Sequence, residues 1–316
     1  MTGAHDHGVR RQGGHQHAGA GAGRPGYRGR LAVALALGVF VLLVEIVGAA
    51  VTGSLALFAD AGHVLTDVVG VGLALAAVSY ATRPPSSRRT FGTLRAEVLA
   101  AAFNALLLLG VAGYVLVESV RRWDEPDAIS GTALALFAGI GLLANAIGLL
   151  VLRKGAGDSL NVRGAYLEVL GDLLGSVAAL SAGIVIAVTG WELADVVASL
   201  VIAGLMVPRT VLLLRDSLHV LMEGTPRGID LAEVRRHLRE VPGVLDVHDL
   251  HAWTITSGVP VLSAHVVVAD EVLHSGGAGP LLDRLCGCVG DHFDVAHSTF
   301  QLEPAEHAGH EDPTHE

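Results

Sequence analysis

Six long apolar runs, separated by short polar stretches, fill the first two thirds of the chain, at about residues 31–52, 55–80, 97–119, 131–152, 166–189 and 192–214. Each is near the ~20 residues a helix needs to cross a bilayer. The first is too long for the apolar stretch of a secretory signal and leads straight into the second, so it reads as a span. The loop after the second run carries Arg83, Arg88, Arg89 and Arg95, and the loop after the fourth carries Arg153, Lys154 and Arg163. The opposite side shows only Arg121 and Arg122, offset by Asp124, Glu125 and Asp127. The positive-inside rule then predicts a multi-pass cell-membrane protein with both termini in the cytoplasm. Pro208, late in the sixth run, predicts a kink. Gly171 and Gly175 form a GxxxG spacing, read as generic close packing.

From about residue 223 the pattern becomes that of a soluble domain. Helical spacing over 229–240 ends at Pro242-Gly243. Strands are expected over 245–256 and 260–269, joined at Ser257-Gly258, then a helix over 280–292 and a strand over 298–303. The order αββαβ resembles a ferredoxin-like domain. The expected organisation is a His-rich disordered tail (1–29), an all-α six-helix transmembrane bundle (30–222), a small α+β ferredoxin-like (αββαβ) cytoplasmic domain (223–304) and a second disordered tail (305–316). His5, His7, His15 and His17 form two His-x-His pairs in the first tail, either solvated polar residues or a weak metal-capturing device.

Composition agrees with a membrane protein. Mean hydropathy is +0.53 and only 16% of residues are charged. The net charge of −10, with no basic stripe, gives no sign of nucleic-acid binding. Two cysteines, Cys286 and Cys288, exclude a disulfide framework and fit a reducing compartment. They read as buried helix residues rather than ligands.

The candidate chemistry lies inside the apolar runs, where an ionisable residue costs roughly 2.5–3.5 kcal/mol on insertion scales. Glu97, Glu118 and Glu192 sit near ends, where water reaches them. Asn104 and Asn145 read as cross-helix hydrogen-bonding groups. Asp60 and Asp195 suit either an access path or packing. Two pairs stand out: His63 with Asp67, and Glu168 with Asp172, each spaced four residues so as to share a helix face. One nitrogen and three carboxylates can close a four-coordinate site around a divalent cation. The same groups bind protons, and metal binding expels them. A site loaded with metal on one side and reprotonated on the other makes a metal/proton antiporter. There is no His-Glu-x-x-His and no nucleophile beside the pairs, so an enzyme is not expected, nor is an organic cofactor.

These residues resemble the cation diffusion facilitator family over Leu42–Pro304. The resemblance rests on Gly53-Ser54-Leu55-Ala56-Leu57 followed by Asp60-Ala61-Gly62-His63-Val64-Leu65-Thr66-Asp67, on Arg95-Ala96-Glu97, and on Gly164-Ala165-Tyr166-Leu167 through Gly171-Asp172 and Gly175-Ser176. It continues in Val247-His248-Asp249-Leu250-His251-Ala252-Trp253 and Ser263-Ala264-His265-Val266. It implies a homodimer that exports Zn²⁺ or related cations in exchange for protons, with His63, Asp67 and Asp172 as transport ligands. The zinc-transporting branch usually has His at the position of Glu168, so Glu168 makes this site richer in oxygen and leaves Mn²⁺, Co²⁺, Cd²⁺ or Fe²⁺ as alternative cargo. Leu94 replaces a frequent His, which argues against a loop site there. The resemblance also suggests a second, regulatory metal site at the dimer contact, from His248, His265, His297 and Glu303, with His251 nearby. A non-transporting membrane metal sensor is the remaining rival.

Overall fold

A computed structural model describes residues 25–81, 86–153, 160–256, 258–274 and 276–308. The His-x-His pairs, His310, His315, Arg83 and Lys154 lie outside the described residues. Six helices follow the six apolar runs: α1 (Pro25–Thr52), α2 (Leu55–Ala81), α3 (Arg95–Arg121), α4 (Gly131–Arg153), α5 (Leu160–Thr189) and α6 (Leu193–Leu221). Several extend past the apolar runs because backbone hydrogen bonding continues where hydropathy ends. α6 stays helical through Pro208. Among the described residues, α1, α3, α4, α5 and α6 contain spans long and apolar enough to cross a membrane, and residues 71–81 of α2 fall outside that tally. Large apolar side chains such as Leu143 and Leu150, each 65% exposed, turn outward, as a lipid-facing surface requires.

The described residues group into two compact units, one of 25–64 with 117–202 and one of 65–116 with 203–308. In the first unit α4 and α5 pack almost backbone to backbone. A Cβ at Gly183 would lie 2.5 Å from the Ala135 nitrogen, and one at Gly131 would collide with the backbone of Ala187. Glycine at these positions is what permits the approach.

The second unit contains the C-terminal domain: α7 (Leu231–Arg239), β1 (Val244–Thr254), β2 (Pro260–Val268), α8 (Asp270–His274), α9 (Ala278–Phe293), β3 (His297–Pro304) and α10 (Ala305–Ala308). Asp230 caps α7 by accepting from the Ala232 N–H at 2.9 Å. The sheet order is β1-β2-β3, with β1–β2 antiparallel and β2–β3 parallel through the α9 crossover. This is the expected αββαβ order with two short helices added. Val234, Leu238, Leu281, Leu285 and Val289 from α7 and α9 bury one sheet face against Val247, Leu250, Leu262, Ala264 and Val266. The opposite face is left for polar chemistry. Cys286 and Cys288 do lie on α9, but the expectation of burial is corrected: Cys286 is exposed and Cys288 half-buried, because Leu285 and Val289 take the core-facing side of the helix.

Candidate metal centres

The first centre depends on where α2 begins. Gly53 takes a left-handed φ of 71°, which turns the chain out of α1. Ser54 Oγ then donates to Asp195 Oδ1 at 2.5 Å, and the Leu55 and Ala56 N–H groups donate to the same carboxylate at 2.7 and 3.3 Å. A carboxylate on the unpaired N–H groups of a helix start is favourable. Asp195, left open between access path and packing by the sequence, is therefore a cap that ties α6 to α2. It fixes the height of His63 two turns further on.

His63 and Asp172 are both buried, and His63 Nε2 lies 3.4 Å from Asp172 Oδ1. An ion bound tetrahedrally at ~2.0–2.1 Å from each ligand holds neighbouring ligand atoms ~3.3 Å apart, so this spacing suits a zinc-sized cation. Asp67 follows one turn later on the His63 face of α2, and one ligand atom from each of His63, Asp67 and Asp172 lies within 4.8 Å of the others. Glu168 stands one turn before Asp172 on α5, half-buried, and is not part of that group of three. The structure thus brings together one nitrogen and two carboxylates, which leaves a coordination position open.

Beside this centre the sequence underrated its neighbours. Asp60 is 1% exposed and accepts from Ser176 Oγ at 3.4 Å, while Asn145 Nδ2 donates to Ser176 Oγ at 3.2 Å. Asn145 thus serves as the cross-helix group it was expected to be. The GxxxG pair is not generic packing: a Cβ at Gly171 would meet nothing within 4 Å, whereas one at Gly175 would collide with the Asp60 carboxylate.

The second centre is on the polar face of the C-terminal sheet. His248 pairs with His265 across β1–β2, and Val267, two residues on from His265, pairs with Glu303 on β3. Strand alternation puts His265 and Glu303 on one face. A register shift between His248 and His251 inserts Asp249, at φ 46°, and lets Val247 and Leu250 both reach the core while His248 stays opposite. Glu303, 2% exposed, accepts from His248 Nε2, and its other oxygen is 3.7 Å from His265 Nδ1. Gln301 Nε2 also donates to Glu303 at 3.2 Å. His248, His265 and Glu303 form the second group able to hold an ion.

Within the one chain described, His297 stands apart from the other three residues of the expected set. It pairs with Val261 at the far end of β3 and packs its ring edge-on against Phe91, 5.9 Å between centroids. It is on the right face but four residues, roughly 13 Å, along the strand from the position opposite His265. Asp249 was missed by the sequence and takes a place there. Its two oxygens lie 3.6 Å from His265 Nε2 and 2.9 Å from His251 Nε2. Only the left-handed bulge turns this residue toward the histidines, and the sequence alternation gives no signal of it.

Comparison with known proteins agrees with both halves of the chain. Residues 31–222 match the model of the cation efflux transmembrane domain, and residues 226–305 match that of the cation efflux protein cytoplasmic domain. The metal cation efflux system protein CzcD of Cupriavidus metallidurans is 46% identical over 280 residues, 88% of each chain. The zinc transporter ZitB of Escherichia coli is 41% identical over 276 residues, 87% of each. A cadmium, cobalt and zinc/H(+)-K(+) antiporter of Bacillus subtilis is 37% identical over 268 residues, 84% of this chain and 86% of that one.

Proposed function

The chain belongs to the cation efflux family, the cation diffusion facilitators, and on that premise we propose that it exports Zn²⁺ across the cell membrane in exchange for protons. The observation that carries this reading is the buried His63–Asp172 approach, 3.4 Å, with Asp67 on the next turn. The cargo ion loads between these side chains, and Glu168 supplies the fourth ligand by a change of rotamer from one turn away. Neutral imidazole and ionised carboxylate are the ligating forms, so loading expels protons and reprotonation favours release. Access alternates by rearrangement of the helices around this midplane site. Both termini face the cytoplasm, two copies form a homodimer, and a metal at His248, His265 and Glu303 favours the transport-ready state by binding it better. The names of two relatives, with zinc alone in one and cadmium and cobalt beside it in the other, support zinc first and Co²⁺ or Cd²⁺ second.

The test is metal-resolved uptake into inverted membrane vesicles. Zinc uptake is expected to collapse when an uncoupler dissipates the pH gradient, and to be absent in Asp172→Ala. Uptake that survives the uncoupler would refute antiport, and uptake that survives Asp172→Ala would refute the site.

A further inference from the structure

The transport scheme leaves two buried acids of the first unit unused. Glu45 on α1 and Asp60 on α2 are each 1% exposed, and their carboxyl groups border the same small space: Ser176 Oγ lies 3.4 Å from Asp60, and a Cβ at Gly141 would lie 3.6 Å from that Oγ and 3.3 Å from Glu45 Oε1. Two carboxyl groups crowded into one buried space cannot both ionise cheaply, and holding one proton between them relieves both the desolvation and the repulsion. The cradle around the pair is built. Ser176 donates to Asp60 at 3.4 Å, and Asn145 holds Ser176 at 3.2 Å. Glu45 Oε2 is buried with no hydrogen-bond partner among the described residues. A Cβ at Gly141 would press to 3.3 Å from Glu45 Oε1, and one at Gly175 would strike Asp60. Glycine at these two positions leaves the room that the two carboxyl groups occupy.

The charged surroundings are few. α4 has no ionisable residue before Arg153. α2 contributes His63 and Asp67, and α5 contributes Glu168 and Asp172; Asp60 stands one turn before His63 on α2, and its carboxylate lies against Gly175, one turn after Asp172 on α5. A divalent cation beside Asp172 therefore favours the doubly ionised form of the pair.

We propose that Glu45 and Asp60 share one proton in the metal-free protein and release it when a cation loads at His63 and Asp172, so that this pair is a proton site distinct from the metal ligands. The inference rests on the metal-transport reading above. In the step one O–H bond breaks, the proton leaves to water, and the pair passes from one negative charge to two. The incoming cation brings two positive charges. On release the pair recovers its proton, so at least one coupling proton need not be carried by the ligands.

The experiment counts protons. Zinc is titrated into the purified full-length chain in detergent micelles, and the calorimetric heat is compared across buffers of different ionisation enthalpy at one pH. Glu45→Gln and Asp60→Asn are each expected to release about one proton fewer per zinc bound than wild type. An unchanged count in either variant overturns the proposal. Infrared difference spectra of the wild type need no variant to fold. A protonated-carboxyl band that shifts in D₂O and disappears on zinc addition is expected, and its absence in the metal-free protein at neutral pH overturns the proposal. Should zinc not bind at all, the transport reading fails, while the metal-free band still decides the shared proton.

Discussion

The α4–α5 contact allows a sharp test, because the same change of side chain should have opposite consequences at two glycines. In Gly183→Ala the new Cβ would sit 2.5 Å from the Ala135 nitrogen, and comfortable contact begins near 3.4 Å. The obstruction is backbone and cannot swing aside, so α4 and α5 must separate locally by about 0.9 Å (3.4 − 2.5). A gap of 0.5–1 Å forfeits roughly a quarter to a half of each van der Waals well it opens. Overpacking of this kind typically costs ~1–3 kcal/mol. In Gly139→Ala the nearest atom, Leu180 Cδ1, would be 4.0 Å away, an ordinary contact. Both variants gain the same helix preference of alanine over glycine, up to ~1 kcal/mol, so it cancels in their difference. Gly183→Ala should therefore be less stable than Gly139→Ala by ~1–3 kcal/mol. Equilibrium unfolding in mixed micelles with increasing SDS, followed by helical circular dichroism, reads that difference. Because α5 also carries Asp172, zinc flux should fall in Gly183→Ala alone. Equal midpoints for the two variants would refute the close-packing argument.

Glu168→His should move metal preference toward zinc over harder cations such as Mn²⁺, because imidazole replaces an oxygen donor; unchanged relative fluxes in vesicles would mean that this position does not select the ion. Glu303→Gln keeps the shape of a buried side chain bonded to His248 but removes its charge, so the C-terminal domain should lose zinc affinity by tenfold or more, about 1.4 kcal/mol, read by competition with a zinc dye. Asp246 tests the surface electrostatics of that domain. Burial pushes its carboxyl up, but the Val247 N–H and the Arg239 guanidinium outweigh this and hold it below its ordinary 3.8. A depressed carboxyl stabilises above its ordinary range, and the gain is lost as pH falls through the folded-state value. Arg239→Ala should accordingly cost up to ~1 kcal/mol at neutral pH and nothing in strong acid, as measured by chemical denaturation across pH.

Much of the architecture is legible along the chain. The six helices coincide with the apolar runs because length and hydropathy alone set what a bilayer accepts. The αββαβ order follows from local alternation and turn residues, with boundaries off by one or two residues at most strand ends. The i,i+4 pairing of His63 with Asp67 is likewise a property of one helix. His297 shows where this stops: it carries suitable chemistry on the same face, and only the parallel register tells that it lies four residues along β3 from the position opposite His265.

What the sequence alone determined is whatever depends on neighbours within a few residues: spans, helix faces, strand order, and the family signature around His63 and Asp172. What only the tertiary structure decided depends on contacts between distant segments. Asp195 caps a helix that starts 140 residues earlier, Glu45 and Asp60 come from two helices to the space beside Ser176, and Gly175 leaves the room Asp60 occupies. Asp249 joins His265 because a bulge reverses the direction its side chain would otherwise take. Periodicity fixes which side of an element a residue occupies, but packing and register fix what it meets there.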